Sequence, residues 1–336
     1  MQILFHDATT PLSYTIHTLK DRALRGTEAT ILRVATALSH YHEIYIAQHC
    51  RKTSDDTVIN NIHYISTETA YTLSPDVVVL LRQHQLLENT ANHFPNARHY
   101  LWMHNMPSRN LYQMREILLR YNYEIIAVSC FHRDAIKKRL AGKWHQRLFR
   151  KFSSNEIPIH VLYNPVDDKL QADDTPINKN QMIFTSSPYK GLPQTLKLFA
   201  AVRTQFPEYH LTIISPDTNG LIFPLPQNVT WIGSLPQHEL MSYVRRSFCV
   251  FYPQTERVET FGLVYAEANA VGTPVLAHDF GAAREILSDA SQLVDGHDPD
   301  AVIKKIIEWR EKKPEIKAKE AFRLSCVTNA WRKLLG

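Results

Sequence analysis

"FCVFYPQTERVETFGLVYAEANAVGTPVLA", residues 248–277, sets out a strand, a loop, a helix, a turn and a second strand in thirty residues. FCVFYP (248–253) is a short apolar run, rich in aromatic and β-branched side chains and closed by a proline, which reads as a buried strand. QTERVE is a polar loop. From Phe261-Gly262 to about Val271 the residues are small and mostly apolar, predicting a buried helix, and Gly272-Thr273-Pro274 turns the chain into a second strand, TPVLA (273–277). Inside that helix stands Glu267, eight residues after Glu259. An unpaired buried carboxylate costs several kcal/mol. Either Glu267 lies on a solvated face and Glu259 is a helix-start acid favoured by the dipole, or something fills the site.

The same alternation runs through the chain. QILFH (2–6), EIYIAQ (43–48), DVVVLL (76–81), HYLWMH (99–104), EIIAVS (124–129) and IHVLYN (159–164) read as buried parallel strands of a first half. QMIFTS (181–186), HLTIIS (210–215) and VTWIG (229–233) join the two strands above in a second. Strands alternating with helices predict parallel sheets covered on both faces, twice over, and 336 residues suit two domains of roughly 150 each. NPVDDKLQADDTPINKN (164–180) is polar and aperiodic, the natural linker. The expected domains are therefore 1–165, a linker 166–180, 181–318, and a terminal helical segment 319–336 with Phe322, Cys326, Trp331 and Leu334 as packing residues.

Composition is that of a globular protein. No run approaches the ~20 apolar residues of a membrane span, and MQILFHDATT lacks a basic-plus-apolar signal pattern, so a cytoplasmic location is expected. The four cysteines are far apart with no C-x-x-C pair, giving neither a zinc site nor a disulfide framework; they read as small buried hydrophobes. A net charge of +5 is modest and calls for no nucleic-acid partner, but residues 132–151 carry eight Lys or Arg against the single Asp134. There Ile136, Leu140, Trp144, Leu148 and Phe152 recur every fourth residue, along one helix face. Such a helix either packs its stripe on its own domain, with Gly142 weakening its continuity, or lies on an anionic membrane surface through 132–152.

Glu259 and Glu267 do not suit a glycosidase. Eight helical residues rise about 12 Å, whereas paired glycosidase carboxylates stand about 5 to 9.5 Å apart. The pair better suits two grips on one long ligand. The D-x-D at Asp298-Pro299-Asp300 precedes AVIKKIIEW and reads as a helix start rather than a metal clamp.

E-T-F-G-L, E-A-N-A and G-T-P-V at this spacing resemble the E-x7-E signature of the retaining glycosyltransferases of family 4. That resemblance implies an α/β protein of GT-B fold: two Rossmann-like domains with parallel sheets facing across a cleft, and a C-terminal helix crossing back to the first domain. It implies Glu259, Phe261, Gly262 and Leu263 at the transferring sugar and Glu267 at the nucleotide ribose, where carboxylate hydrogen bonds are each worth about 1.5 to 3 kcal/mol. FTSSPYKGLPQTLKLF (184–199) is similar to the family's phosphate-binding R-x4-K-G segment, which puts Lys190 and Gly191 at the diphosphate. Thr185 occupies the arginine's position, leaving that site one cation short, with Arg257 as a candidate replacement.

In the first half, LRGTEATILRVATALS (24–39) resembles the family's G-G-x-E segment, with Gly26 and Glu28 matching and Arg25 in place of the first glycine. A glycine at a helix N-terminus lets phosphate or acceptor oxygens approach the backbone; the alternative is an ordinary helix start capped by Thr27. HYLWMHNMP (99–107) places His104 at a strand end, where the family has a histidine on the donor sugar. DFGAAREIL (279–287) is similar to the G-G-x-x-E loop, with Gly281 and Glu285 in approximate register.

The resemblance thus implies a retaining glycosyltransferase with His104, Lys190 and Glu259 in catalytic roles. It needs no cofactor and no metal, and takes a nucleotide-diphosphate sugar as donor. The basic stretch suggests a glycan or lipid-linked glycan acceptor, as in surface polysaccharide or lipopolysaccharide assembly, with peripheral attachment to the inner membrane face. A sugar-nucleotide epimerase of the same fold and a non-catalytic sugar-nucleotide-binding subunit stay open.

Overall fold

A computed structural model describes residues 1–142, 156–215 and 224–336. The chain divides into two compact units. One comprises Met1–Ile16, Thr27–Pro165 and Leu324–Gly336; the other comprises His17–Gly26 and Val166–Arg323. The chain returns to the first unit at Leu324, five residues after the 319 expected, and His17–Gly26 is counted with the second.

The first unit holds an eight-stranded sheet of β1 (Gln2–Asp7), β2 (Glu43–Gln48), β3 (Thr57–Ile59), β4 (Ile62–Ser66), β5 (Val77–Leu81), β6 (Arg98–Trp102), β7 (Glu124–Ala127) and β8 (Ile159–Val161). Its order is β3-β4-β2-β1-β5-β6-β7-β8. All neighbours are parallel except the β3–β4 pair at the edge. That hairpin escapes the sequence reading because its strands are short and interrupted by polar residues. Asn60 and Asn61, at φ of 51° and 60°, make its two-residue turn, as left-handed hairpin turns favour. Phe5, Trp102 and the returning Trp331 form an aromatic cluster, with centroids 5.9 Å apart for Phe5–Trp331 and 4.7 Å for Trp102–Trp331.

The second unit holds six parallel strands, β9 (Asn178–Phe184), β10 (His210–Ile214), β11 (Val229–Gly233), β12 (Ser247–Tyr252), β13 (Val275–His278) and β14 (Leu293–Val294), ordered β11-β10-β9-β12-β13-β14. β12 is buried at every residue and pairs with β9 and β13. It therefore sits mid-sheet, with its C-terminal end pointing at the loop that carries Glu259.

Several details differ from expectation. The terminal helix spans Leu324–Leu335 and buries Val327, Thr328, Trp331 and Leu335, while Cys326 is exposed and Leu334 only partly covered. Phe322 lies in a separate short 3-10 turn, so counting the stripe from it displaces the register by one residue. Of the cysteines only Cys249 is buried. The basic helix spans Cys130–Leu140, burying Ile136 and Leu140 against the first unit's core. Trp144, Leu148 and Phe152 lie outside the described residues. Asp298 caps helix Pro299–Glu311, accepting the Asp300 N–H at 2.9 Å, so the D-x-D is a helix start.

Candidate functional site

The second unit gathers its candidate residues at the C-terminal ends of β9 and β12, where ligands bind in open α/β sheets. After β9 the chain turns through Ser187–Lys190, with the Lys190 N–H on the Ser187 carbonyl at 2.9 Å. Gly191 (φ +83°) then opens helix Leu192–Gln205. Its missing side chain matters, since a Cβ there would lie 2.4 Å from Gln254 Cβ. Thr185, half-buried, follows β9 directly.

After β12 comes a loop braced by its own amides. Gln254 Oε1 accepts the backbone N–H groups of Glu256 (3.0 Å) and Arg257 (2.9 Å), and Gln254 Nε2 donates to the Arg257 carbonyl (2.8 Å). Arg257 itself is exposed. The loop delivers Glu259 to a buried position. Gly262, in the left-handed region (φ +83°), then starts helix Leu263–Ala270, shorter at each end than the sequence suggests. Gly281 (φ +62°) lets the following loop close on this one: a Cβ there would meet the Glu259 carbonyl oxygen at 2.9 Å, and Ala282 N–H donates to that oxygen at 3.0 Å. Glu285 contributes its carbonyl, which accepts from Lys319 Nζ at 2.7 Å.

Both buried glutamates have protein partners. Lys190 Nζ is 2.8 Å from Glu259 Oε1, with side-chain exposures of 31% and 11%, and the Tyr252 hydroxyl donates to the same oxygen at 2.9 Å. Burial opposes the Lys190 charge, but the Glu259 carboxylate outweighs it and holds the ammonium above the ordinary lysine value. Burial, reinforced by Glu259, pushes the Tyr252 and Tyr265 phenols well above theirs, so both stay neutral donors. Glu267 Oε1 accepts from Gln237 Nε2 at 2.5 Å. The alternatives drawn from the sequence, a solvated face or a filled site, omit a third: partners 30 and 69 residues away in the chain. Chemically the arrangement offers one cation, two carboxylates and a neutral phenol.

Tyr252 and Gln237 were not singled out from the sequence. Tyr252 could have been, as the last polar-tipped residue before the strand's closing proline. Gln237 follows β11 and opens helix Gln237–Arg246, the same strand-end placement as Lys190. Phe261 is buried and packs edge-on against Phe322, centroids 5.2 Å apart. Gly26 falls within the second unit, where a Cβ on it would lie 3.0 Å from Leu263 Cδ1.

His104 belongs to the first unit. It follows β6, is buried, and has its ring centroid 4.7 Å from that of Trp102. Burial, with help from Arg82 and His132, holds it well below the ordinary histidine value, so it is neutral at pH 7. The same sheet edge carries a charge cluster the sequence did not suggest. Arg82 (φ +64°) lies 2.8 Å from Asp7 and 3.6 Å from Glu28, and the Tyr14 hydroxyl donates to Asp7 at 2.9 Å.

Residues 170–323 match the family model described as glycosyl transferases group 1. The chain is 33% identical over 110 residues to a phosphatidyl-myo-inositol mannosyltransferase of Propionibacterium freudenreichii, covering 33% of this chain and 27% of that one. It is 28% identical over 162 residues to a D-inositol 3-phosphate glycosyltransferase of Corynebacterium glutamicum, covering 42% and 38%. It thus spans well under half the length of these relatives. Among solved structures, sucrose-phosphate synthase from Thermosynechococcus elongatus superposes with a TM-score of 0.68 at 14% identity, over 99% of this chain and 98% of that one. Trehalose-6-phosphate synthase OtsA gives 0.67 at 14% identity, over 100% and 98%. At such identity the likeness is one of fold, and the fold is GT-B.

Proposed function

From the match of residues 170–323 to the glycosyl transferases group 1 family we propose that the protein moves a sugar from a nucleotide-diphosphate sugar to a hydroxyl acceptor. The observation that carries the reading is the Lys190–Glu259 pair at the end of β12, with Glu267 held one helix away on Gln237. In this reading Lys190 and Gly191 receive the diphosphate, Glu259 and the amides of Phe261, Gly262 and Leu263 take the sugar, and Glu267 exchanges Gln237 for the ribose hydroxyls. The role of His104 on the donor sugar rests on the family resemblance alone.

Transfer breaks the bond from the anomeric carbon to the diphosphate oxygen, and the bonding electrons leave with the diphosphate. Lys190 neutralises part of that charge as it develops, the kind of stabilisation worth most in a water-poor site. In the retaining form of the reaction the acceptor hydroxyl attacks from the leaving-group side and its proton passes to the departing diphosphate. No second catalytic carboxylate and no metal are then required.

For the acceptor, the basic helix Cys130–Leu140 favours an anionic or lipid-linked partner. The matched relatives' names specify phosphatidyl-myo-inositol and inositol 3-phosphate, so inositol-bearing acceptors join the glycan and lipid-linked glycans suggested by the sequence. Among the described residues no helix is long and apolar enough to cross a membrane, and membrane attachment at the cytoplasmic face is part of the proposal. The deciding experiment incubates the protein with UDP-, GDP- and ADP-sugars and follows donor hydrolysis and the anomeric configuration of the product. Slow hydrolysis of one donor with retention supports the assignment. Donor conversion to an epimer, or binding without turnover in the presence of inositol and glycan acceptors, refutes it.

A further inference from the structure

Beyond the donor site, the second unit brings two imidazoles and a carboxylate together at the end of β13 and β14. Ligand atoms of His278, Asp295 and His297 all lie within 4.8 Å of one another. The His278 Nδ1–Asp295 Oδ1 separation is 3.8 Å, and the two histidine rings stand 5.1 Å apart, edge to face. They line an open pocket of about 500 Å³ together with Asp279 and Arg284, whose opposite charges pair with each other. We propose that His278, Asp295 and His297 bind a divalent transition-metal ion of the zinc class.

The ligand set has the right chemistry. Two imidazoles and one carboxylate suit zinc, nickel or cobalt rather than magnesium or calcium, which prefer all-oxygen shells. Tetrahedral bonds of about 2 Å need the three ligand atoms somewhat closer than they stand. Asp295 and His297 are exposed; Asp295 Oδ1 accepts the His297 N–H at 2.9 Å, which leaves its other carboxylate oxygen for the ion, and solvent supplies the fourth position. His278 is oriented through Nδ1, which lies 3.1 Å from the Gly296 N–H and 3.3 Å from the Val294 carbonyl, so that with the Nδ1 proton on that carbonyl Nε2 is the nitrogen left for the ion. Backbone contacts of this kind fix ring orientation at metal sites.

The site is mechanically tied to the loop that carries Glu259. Gly296, between the two exposed ligands, packs so closely that a Cβ there would lie 2.0 Å from the Pro253 carbonyl oxygen. Its own carbonyl accepts from Gln194 Nε2 at 3.0 Å, and Gln194 Oε1 accepts the Thr255 N–H at 2.7 Å. An ion that fixes residues 295–297 therefore fixes 253–255, four residues short of Glu259. It acts as a brace rather than as a participant in the transfer chemistry. The proposal rests on the geometry of this cluster and not on the transferase reading.

Calorimetric titration of zinc into the full, untagged, EDTA-treated and dialysed chain tests it. The expected result is one site that His297→Ala and Asp295→Ala each weaken at least tenfold, while His40→Ala, an exposed histidine elsewhere, leaves it unchanged. Both site residues are surface groups, so folding of the variants is not at risk. Equal zinc affinity in wild type and His297→Ala overturns the site. Hydrogen exchange of the peptide spanning 253–259 should slow on zinc addition in wild type and not in His297→Ala; unchanged exchange in wild type overturns the brace. Both readouts are independent of turnover, so a failed transferase assay and a failed metal site are separately visible.

Discussion

Lys190 Nζ stands 2.8 Å from Glu259 Oε1, so the cation proposed for the diphosphate and the carboxylate proposed for the sugar neutralise each other. The pair explains how a largely buried glutamate is tolerated at the end of β12. It also sets a condition on donor binding, because a diphosphate that takes Lys190 leaves Glu259 to be satisfied by sugar hydroxyls and the Tyr252 phenol. Donor and pair exchange partners, and neither charge need be left bare.

Lys190→Met removes the cation and, among the described residues, leaves Glu259 the Tyr252 donor. Because Lys190 keeps some exposure, the expected loss is about 1 to 3 kcal/mol, below that of a fully buried pair. Lys190→Met with Glu259→Gln removes both charges and should recover most of the loss in urea unfolding. If the double variant is as unstable as the sum of the single ones, the pair is not energetically coupled. Donor diphosphate affinity should fall in both variants.

Gly281→Ala tests the clasp between the two loops. The new methyl has to fit against Val258 Cγ1 at 2.8 Å and the Glu259 carbonyl oxygen at 2.9 Å, on a backbone at φ +62°. A destabilisation of about 2 to 4 kcal/mol is expected, with weakened donor binding in whatever fraction stays folded. Wild-type stability and donor affinity together would show that the clasp is dispensable.

Acid stability reports the buried histidines. Burial, partly offset by the Asn105 carbonyl, lowers His132 to about 4. Its Nδ1 accepts the Val128 N–H at 3.3 Å and its Nε2 faces that carbonyl at 2.9 Å, so a second proton has no place. Burial lowers His6 to about 4 as well. In both, the unfolded chain binds the proton more readily. Stability is therefore full above the ordinary value of 6.5 and falls as pH drops from there to about 4. His132→Gln should lower stability at pH 7 yet flatten the fall by up to about 3 kcal/mol. Parallel urea midpoints for wild type and variant across pH 7 to 4.5 would contradict this.

The strands were legible because β12 is buried at every residue, and the buried ends of its neighbours, Met182–Phe184 and Val275–Ala277, are unbroken apolar runs. β3 and β4 were not, since an edge hairpin needs less hydrophobic patterning and only Asn60-Asn61 marked it. The candidate donor residues were picked out one at a time, most of them in loops that follow strands and Glu267 inside the helix after β12. Their pairing was not: Lys190 meets Glu259 because β9 and β12 are neighbours in the sheet, and that order follows from crossovers rather than from local pattern. The Asp7–Arg82–Glu28 cluster was missed for the same reason, its members lying at the ends of β1 and β5 and at the start of helix Gly26–Leu38.

Glu267 supplies the sharpest test of the donor reading. Its carboxylate accepts a hydrogen bond from Gln237, a neutral donor that a ribose hydroxyl pair can replace at little cost. Glu267→Ala removes the acceptor altogether, and with charge-assisted bonds worth about 1.5 to 3 kcal/mol each, nucleoside diphosphate affinity should fall at least tenfold. Gln237→Ala removes this neutral donor and leaves the carboxylate in place. It should leave affinity unchanged or raise it, because the nucleotide no longer competes with an internal amide. Calorimetry with UDP, GDP and ADP on the three proteins separates the cases. Unchanged affinity in Glu267→Ala would remove the ribose from this position, and an equal loss in both variants would make the Glu267–Gln237 bond a support of the helix rather than a place held for the nucleotide.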